Sequence, residues 1–347
     1  MSADRTLELR RPDDWHLHLR DGAAMRAVLP HTAARFARAL VMPNLAPPVT
    51  TTAAAMAYRE RILAALPAGA RFDPLMALYL TDATPAAEIR AAKASGVVLA
   101  VKLYPAGATT HSDAGVTRIE KTWPALEAMV ECDMPLCVHG EVTDPAVDVF
   151  DREAVFIDRV LEPLRARLPA LRVVFEHITT ATAVEYVKAA ASTLASTITP
   201  HHLLLDRNQL FTGGLRPHHY CLPVLKTTRD REALLTAATS GDPRFFLGTD
   251  SAPHARAAKE SACASAGIYS AHAAIELYAE AFESAGALDR LNDFAGGFGA
   301  DWYGLPRNAD TLRLERRAWS APASLPFGDD TLVPWRAGEA VQWRIAS

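Results

Sequence analysis

Short aliphatic runs recur along the chain, each closed by a polar residue and followed by a stretch with helical spacing of apolar positions. That alternation predicts strands joined by helices. The runs fall at residues 14–19, 40–42, 75–80, 97–103, 135–138, 171–175, 194–198 and 245–247. Helical patterns are predicted from Asp21 to about Arg38, over 50–66 up to Pro67, around 123–131, over 151–168 despite Pro163, and over 181–191. Before the fourth strand, Thr84 as N-cap, Pro85 at the first helical position and Gly96 past the end predict one more helix. Eight such strands on 347 residues predict a (β/α)8 barrel in a single domain, 1–347. Past Leu305 the pattern changes. Pro306, Pro322, Pro326 and Pro334, with Trp319, Trp335 and Trp343, predict an extended tail at about 306–347 that wraps the barrel and pairs with the N-terminal strand.

A barrel of this kind carries its chemistry at the C-terminal ends of its strands. Reactive residue types fall there repeatedly: His16 and His18, Asn44, Lys102, His139, His177 and Asp250. A doubly wound sheet would gather them at one switch point instead. The Gly-rich nucleotide-binding motifs do not occur. In His16-Leu17-His18, alternate side chains share a strand face, so two imidazoles can hold one divalent ion from the same side. Arg20, one step further on, offers a planar fork that suits a carboxylate. Twelve histidines would produce one such pair by accident, so its meaning rests on its partners. His139 and His177, taken singly, read equally well as structural histidines. Lys102 within an apolar strand must be paired, deprotonated or chemically changed, because an unpaired buried ammonium costs too much. Asp250 likewise needs a cation or a donor. Four histidines, one carboxylate and one lysine are the right count for two metals with open positions, provided the lysine becomes an anion. A neutral lysine amine that takes up carbon dioxide becomes a carbamate, long enough to bridge two cations roughly 3.5–4 Å apart.

Composition removes several alternatives. The net charge of −4, with signs evenly mixed, offers no basic face for nucleic acid and no polybasic membrane patch. The apolar runs are of strand length, too short for a bilayer. The stretch 1–11 is charged and lacks the apolar core of a signal peptide. Four cysteines without C-x-x-C spacing favour a reducing, cytoplasmic setting and argue against a cysteine-ligated zinc.

The H-x-H strand, the lysine strand, two single histidines and a late aspartate resemble the pattern of the amidohydrolase superfamily. Longer stretches narrow the likeness: Arg11 to Arg20, Val41-Met-Pro-Asn44, Lys102-Leu-Tyr-Pro105, Val138-His-Gly-Glu141, Phe175-Glu-His177 and Gly248 to His254. Together they are similar to the dihydroorotase family, in its short bacterial form without an appended β-sandwich. The resemblance runs from about Arg10 to Leu305.

The resemblance implies that His16, His18 and Asp250 hold one metal, that His139 and His177 hold a second, and that Lys102 as N6-carboxylysine bridges both together with a hydroxide. It implies reversible hydrolysis of the cyclic amide of dihydroorotate to N-carbamoyl-L-aspartate, a step of pyrimidine synthesis, with Asp250 as base and then acid. Arg20, Asn44 and His254 would bind the substrate carboxylate. Backbone groups near Leu222 and Ala266 would contact the ring. Thr109 and Thr110 would touch substrate from a lid spanning 105–116. Mixed nitrogen and oxygen donors suit zinc, with cobalt or manganese able to substitute. A homodimer is implied as well. Gly107, His111 and Asp113 depart from the commoner family pattern in the lid, and Ser265 stands where relatives often carry cysteine. His201 and His202 follow the seventh strand with no ligand role left for them. His218 and His219 would brace the segment before Leu222, and His31, His111 and His272 would be structural or surface residues. The rivals are another cyclic amidohydrolase (dihydropyrimidinase, hydantoinase or allantoinase) and a non-catalytic scaffold on the same barrel. The carboxylate-binding set argues against the first, and the filled ligand positions argue against the second.

Overall fold

The computed structural model describes residues 6–346; the first five residues of the charged N-terminal stretch and Ser347 of the tail lie outside them. After β1 (Thr6–Arg10), eight strands follow: β2 (Asp13–Leu17), β3 (Arg38–Val41), β4 (Asp73–Tyr79), β5 (Val98–Leu103), β6 (Leu136–His139), β7 (Val173–Glu176), β8 (Leu194–Ile198) and β9 (Phe245–Leu247). They pair in parallel and in sequence order. The ring closes beyond the last strand, where Asp250 N donates to His16 O (2.9 Å) and His18 N to Ser251 O (3.2 Å). Asp14 reinforces that seam by accepting from Thr249 N (2.8 Å) and Thr249 Oγ1 (2.6 Å). The structure is the predicted (β/α)8 barrel. Its strands are almost wholly buried because helices cover one face and the barrel interior the other.

The interior is filled by one layer drawn from every strand: Trp15, Leu40, Ala77, Ala100, Cys137, Val174, Ala195 and Phe246. Large residues at Trp15 and Phe246 are balanced by the alanines opposite. Gly299 lets the closing helix approach, since a Cβ there would lie 2.0 Å from Trp15 Nε1. Successive inward positions are two residues apart. The layer above therefore contains Tyr79, Lys102, His139, Glu176, Thr197 and Gly248, where the functional groups begin.

Local chemistry shifts some predicted boundaries. Thr84 does not cap the third long helix; its Oγ1 accepts from Thr81 N (2.9 Å), and the helix Ala86–Ala94 starts after Pro85 instead. Gly96 ends that helix at φ +67°. The 151–168 stretch divides into Arg152–Phe156, a π-helical turn Ile157–Leu161 and Glu162–Arg167. Pro163 has no N–H with which to continue the ladder, and the π turn lies directly before it. In the tail, Thr311–Glu315 pairs antiparallel with β1 along its whole length. Trp335 and Trp343 are buried.

Candidate metal centre and substrate cleft

Strict alternation along β2 would place Trp15 and Leu17 on one face and His16 on the other. The structure instead has a register shift between Asp14 and Leu17. Trp15 joins the interior layer, Leu17 and Leu19 join the outer core, and His16 and His18 both reach the barrel mouth. His16 Nε2, His18 Nε2 and Asp250 Oδ1 form a triangle with sides of 3.2, 3.0 and 3.3 Å. Tetrahedral ligands at about 2.0–2.1 Å from a zinc-like cation stand about 3.3 Å apart, so this triangle matches three corners of such a shell.

The other candidate ligands converge on the same point. The rings of His139 and His177 lie 4.9 Å apart, and those of His16 and His177 also 4.9 Å. His139 ends β6 on the inward face. His177 follows the inward Glu176 and would point outward in extended backbone, but φ +43° turns it into the mouth. Thr197 Oγ1 holds that turn by accepting from His177 N (2.8 Å). Lys102 is fully buried, its Nζ donating to Glu176 Oε2 and standing 4.9 Å from the Tyr104 ring centre.

Two of the histidines have one nitrogen hydrogen-bonded from outside the centre, and a third, His16, has a carboxylate oxygen close by that does not complete a hydrogen bond. Asn44 Oδ1 lies 2.8 Å from His18 Nδ1, Glu141 Oε2 lies 2.7 Å from His139 Nε2, and Glu176 Oε1 lies 3.0 Å from His16 Nδ1. This is the arrangement that fixes the ring and tautomer of a metal-ligating histidine. Electrostatics agree with it at His18, His177 and Asp250, whereas His16 holds a proton that a cation must displace. Burial alone would lower the His16 pKa, but Glu176 and Asp250 push it up to about 9, so this position strongly favours positive charge. Burial holds His18 down to about 4 and His177 well below its ordinary value, keeping both imidazoles neutral. Burial would raise Asp250, yet the His16 charge and its contacts with both β2 histidines hold it well below the usual carboxylate range. Neutral imidazoles and an ionised carboxylate are the forms that bind metal.

The histidines and Asp250, together with Arg20, Asn44, Thr109, Thr110, Leu222 and Ala266, line a narrow cleft. Arg20 Nε donates to Pro253 O (3.0 Å), and its NH2 group lies 3.0 Å from His254 Nε2. Asn44 Nδ2 donates to Thr110 O (3.0 Å), and Thr110 Oγ1 to Ala266 O (3.4 Å), which ties the 105–116 segment over the cleft. His111, expected to be structural or at the surface, belongs to this tie: its Nδ1 lies 3.3 Å from Asn44 O. Gly267, at φ +146°, passes so close to His254 that a Cβ would lie 2.9 Å from its ring. A larger groove beside Arg118 and Arg159, with about 830 Å³ of empty space, contains none of the clustered histidines.

Sequence reasoning assigned no role to Glu176, Glu141, Asp14 or Lys259. Glu176 was legible, because the inward alternation that selects Lys102 and His139 selects it too. Lys259 was not: its Nζ donates to the carbonyls of Tyr220, Ser265 and Gly267 at 2.7–2.8 Å, joining loops remote in sequence on either side of Leu222 and Ala266. His201 and His202 are buried away from the centre, beside Cys221. His219 Nδ1 lies 2.9 Å from Gln209 O.

Comparison with known proteins agrees with the barrel. The model of the amidohydrolase family matches residues 14–321. A dihydroorotase of Cupriavidus necator is 67% identical over 338 residues, covering 97% of this chain and 98% of that protein. The crystal structure of dihydroorotase from Campylobacter jejuni superposes with a TM-score of 0.91 at 35% identity, covering 100% of this chain and 99% of that one. An L-hydantoinase from Arthrobacter aurescens shares the fold, with a TM-score of 0.81 at 16% identity over 98% of this chain and 83% of its own. The chain belongs to the amidohydrolase family and, within it, to the dihydroorotases.

Proposed function

We propose that the barrel mouth hydrolyses the ring amide of dihydroorotate to N-carbamoyl-L-aspartate, and closes the same ring in reverse, at a binuclear metal centre. The observation that carries this reading is the convergence of His16, His18, His139, His177 and Asp250, with His18 and His139 oriented by hydrogen-bond partners outside the centre. His16, His18 and Asp250 would hold one divalent cation, and His139 and His177 a second. Lys102 would join them as a carbamate: its amine lone pair forms a C–N bond to carbon dioxide, one N–H proton leaves, and a carboxylate results. Nitrogen and oxygen donors without thiolate suit zinc. When bound, the cations supply Lewis acidity, which polarises an amide carbonyl and makes water acidic enough to attack it at neutral pH.

The chain's own residues do the rest. Asp250 accepts the proton of the attacking water and delivers it to the ring nitrogen as the C–N bond breaks, acting as base and then acid. Arg20, with His254 beside it and Asn44 across the cleft, binds the free carboxylate, Arg20 supplying charge-assisted hydrogen bonds. Thr109 and Thr110 close over the ring and exclude water. The backbone at Leu222 and Ala266, held by Lys259, positions the ring's polar edge. The reading places the enzyme in pyrimidine synthesis, as a homodimer in the cytoplasm; four free cysteines suit a reducing setting. Among the described residues, no helix is long and apolar enough to cross a membrane.

The discriminating measurement is turnover of dihydroorotate against an uncharged dihydropyrimidine, with metal content determined on the same sample. Preference for dihydroorotate, lost on chelation and regained with zinc, is the expected result. Preference for the uncharged ring would overturn the carboxylate assignment.

A further inference from the structure

Glu176 is wholly buried on the inward face of β7, and its two oxygens are divided between the two arms of the centre. Oε1 lies 3.0 Å from His16 Nδ1, and Oε2 takes the Lys102 amine. We infer that Glu176 is the positioning residue of the metal centre, setting the ring of His16 and the direction in which Lys102 carries its carbamate. The inference rests on the binuclear reading above.

Two physical arguments lead there. An imidazole that ligates through one nitrogen is fixed by an acceptor on the other, and a carboxylate does this while raising the ligand's basicity. For His16 the division is set by distance: Nδ1 lies 3.0 Å from Glu176 Oε1, both atoms otherwise without a hydrogen-bond partner, while Nε2 faces His18 and Asp250. The second argument concerns Lys102. A lysine carbamate keeps one N–H on Nζ. With Glu176 Oε2 accepting that hydrogen, rotation about the Cε–Nζ bond is arrested. The new carboxylate then lies on the side of Nζ away from Glu176, where two like charges are furthest apart. Glu176 thus acts on both arms without itself touching substrate.

The test uses the full-length enzyme and the variant Glu176→Gln, which keeps the side chain's shape and removes its charge. Metal affinity is measured by competition with a chelator, and carbamate occupancy by the 13C resonance that appears after incubation with 13C-bicarbonate. Glu176→Gln is expected to weaken metal binding about 10- to 100-fold, the range for an outer partner of a ligating histidine. It should also lower carbamate occupancy at ambient bicarbonate, and both losses should be recovered at high bicarbonate and metal. Wild-type affinity together with wild-type occupancy in the variant would overturn the inference. So would metal loss that no concentration recovers, because Glu176 would then be a ligand. Should the variant not fold, 15N-histidine spectra of the metal-loaded wild type decide: His16 protonated on Nδ1 agrees, and on Nε2 refutes. A wild-type enzyme with no carbamate resonance would instead remove the binuclear reading itself, whatever the variant does.

Discussion

Among the described residues, two buried histidine clusters differ in how they are arranged for a metal. In the first, His18 and His139 each have one nitrogen hydrogen-bonded from outside, His16 Nδ1 has Glu176 Oε1 at 3.0 Å, and His16 Nε2 and His18 Nε2 meet an ionised Asp250. In the second, the rings of His201 and His202 lie 4.6 Å apart, tilted by 49°, beside Cys221. Here both nitrogens of His202 are already used: Nδ1 lies 2.8 Å from Thr199 Oγ1, and Nε2 lies 3.1 Å from Pro223 O. Cys221 also donates to Pro223 O (3.4 Å), and burial pushes its thiol up to about 12, far from the thiolate a metal needs. Burial and proximity are common to the two. What separates them is which nitrogen the surrounding chain leaves over, and whether an anion stands opposite it.

The comparison breaks first at Lys102. Lys102→Ala would remove the proposed carbamate, so turnover should fall below detection and metal content should drop, with partial rescue by short-chain carboxylic acids. Near-normal activity without rescue would refute the bridging anion. Asp250→Asn should retain some metal on the histidines but lose the proton carrier. Its kcat should fall roughly 10²- to 10⁴-fold, the usual contribution of general acid–base catalysis. A variant that lost affinity for dihydroorotate while keeping kcat would show Asp250 to be a binding group only.

Most of the centre was legible because it obeys the strand period. Lys102 and His139 lie two residues above Ala100 and Cys137 on the inward face, and the eight aliphatic runs fix where those faces end. Other parts of the site depart from that rule or act through distant chain. His177 was named from its place just past a strand, although its inward direction depends on φ +43°, which no periodicity encodes; Glu176 before it follows the alternation and was passed over. Glu141 lies beyond the end of β6 and acts only through His139. The hold of Lys259 on three carbonyls exists only once the Tyr220 and Ser265 loops have met. Thr84 was misplaced because its hydroxyl serves the preceding turn rather than the helix.

Smaller effects sharpen the contrast. Arg20→Met should act mainly on KM, by roughly 10- to 100-fold, equivalent to the 1.5–3 kcal/mol of a hydrogen bond to a charged group. Steady-state kinetics with unchanged KM would count against its carboxylate role. In the second cluster, Cys221→Ser should leave metal stoichiometry untouched and change stability by about 1 kcal/mol. Cobalt-loaded enzyme would expose an error here, because the main centre has no sulfur ligand. A thiolate-to-cobalt charge-transfer band lost in Cys221→Ser would make the second cluster a metal site after all.

A last effect is thermodynamic and belongs to His201. Among the described residues neither of its ring nitrogens has a hydrogen-bond partner, and it stands edge-on to Trp335 at 6.2 Å. Burial lowers its pKa to about 4, against an ordinary value near 6.5 in the unfolded chain. Between those values the unfolded state binds the extra proton, so stability rises with pH. The contribution is fully present above about pH 6.5 and is lost progressively as pH falls towards 4, at most about 1.4 kcal/mol per pH unit and about 3 kcal/mol in all. Denaturant unfolding of chelated enzyme at a series of pH values, compared with His201→Gln, isolates this proton from those of the ligand histidines, which both proteins share. The variant's stability should fall less steeply with acid by close to one proton. Parallel curves would mean that His201 gains its proton in the folded state as easily as in the unfolded one, and that an unpartnered imidazole there costs the fold nothing.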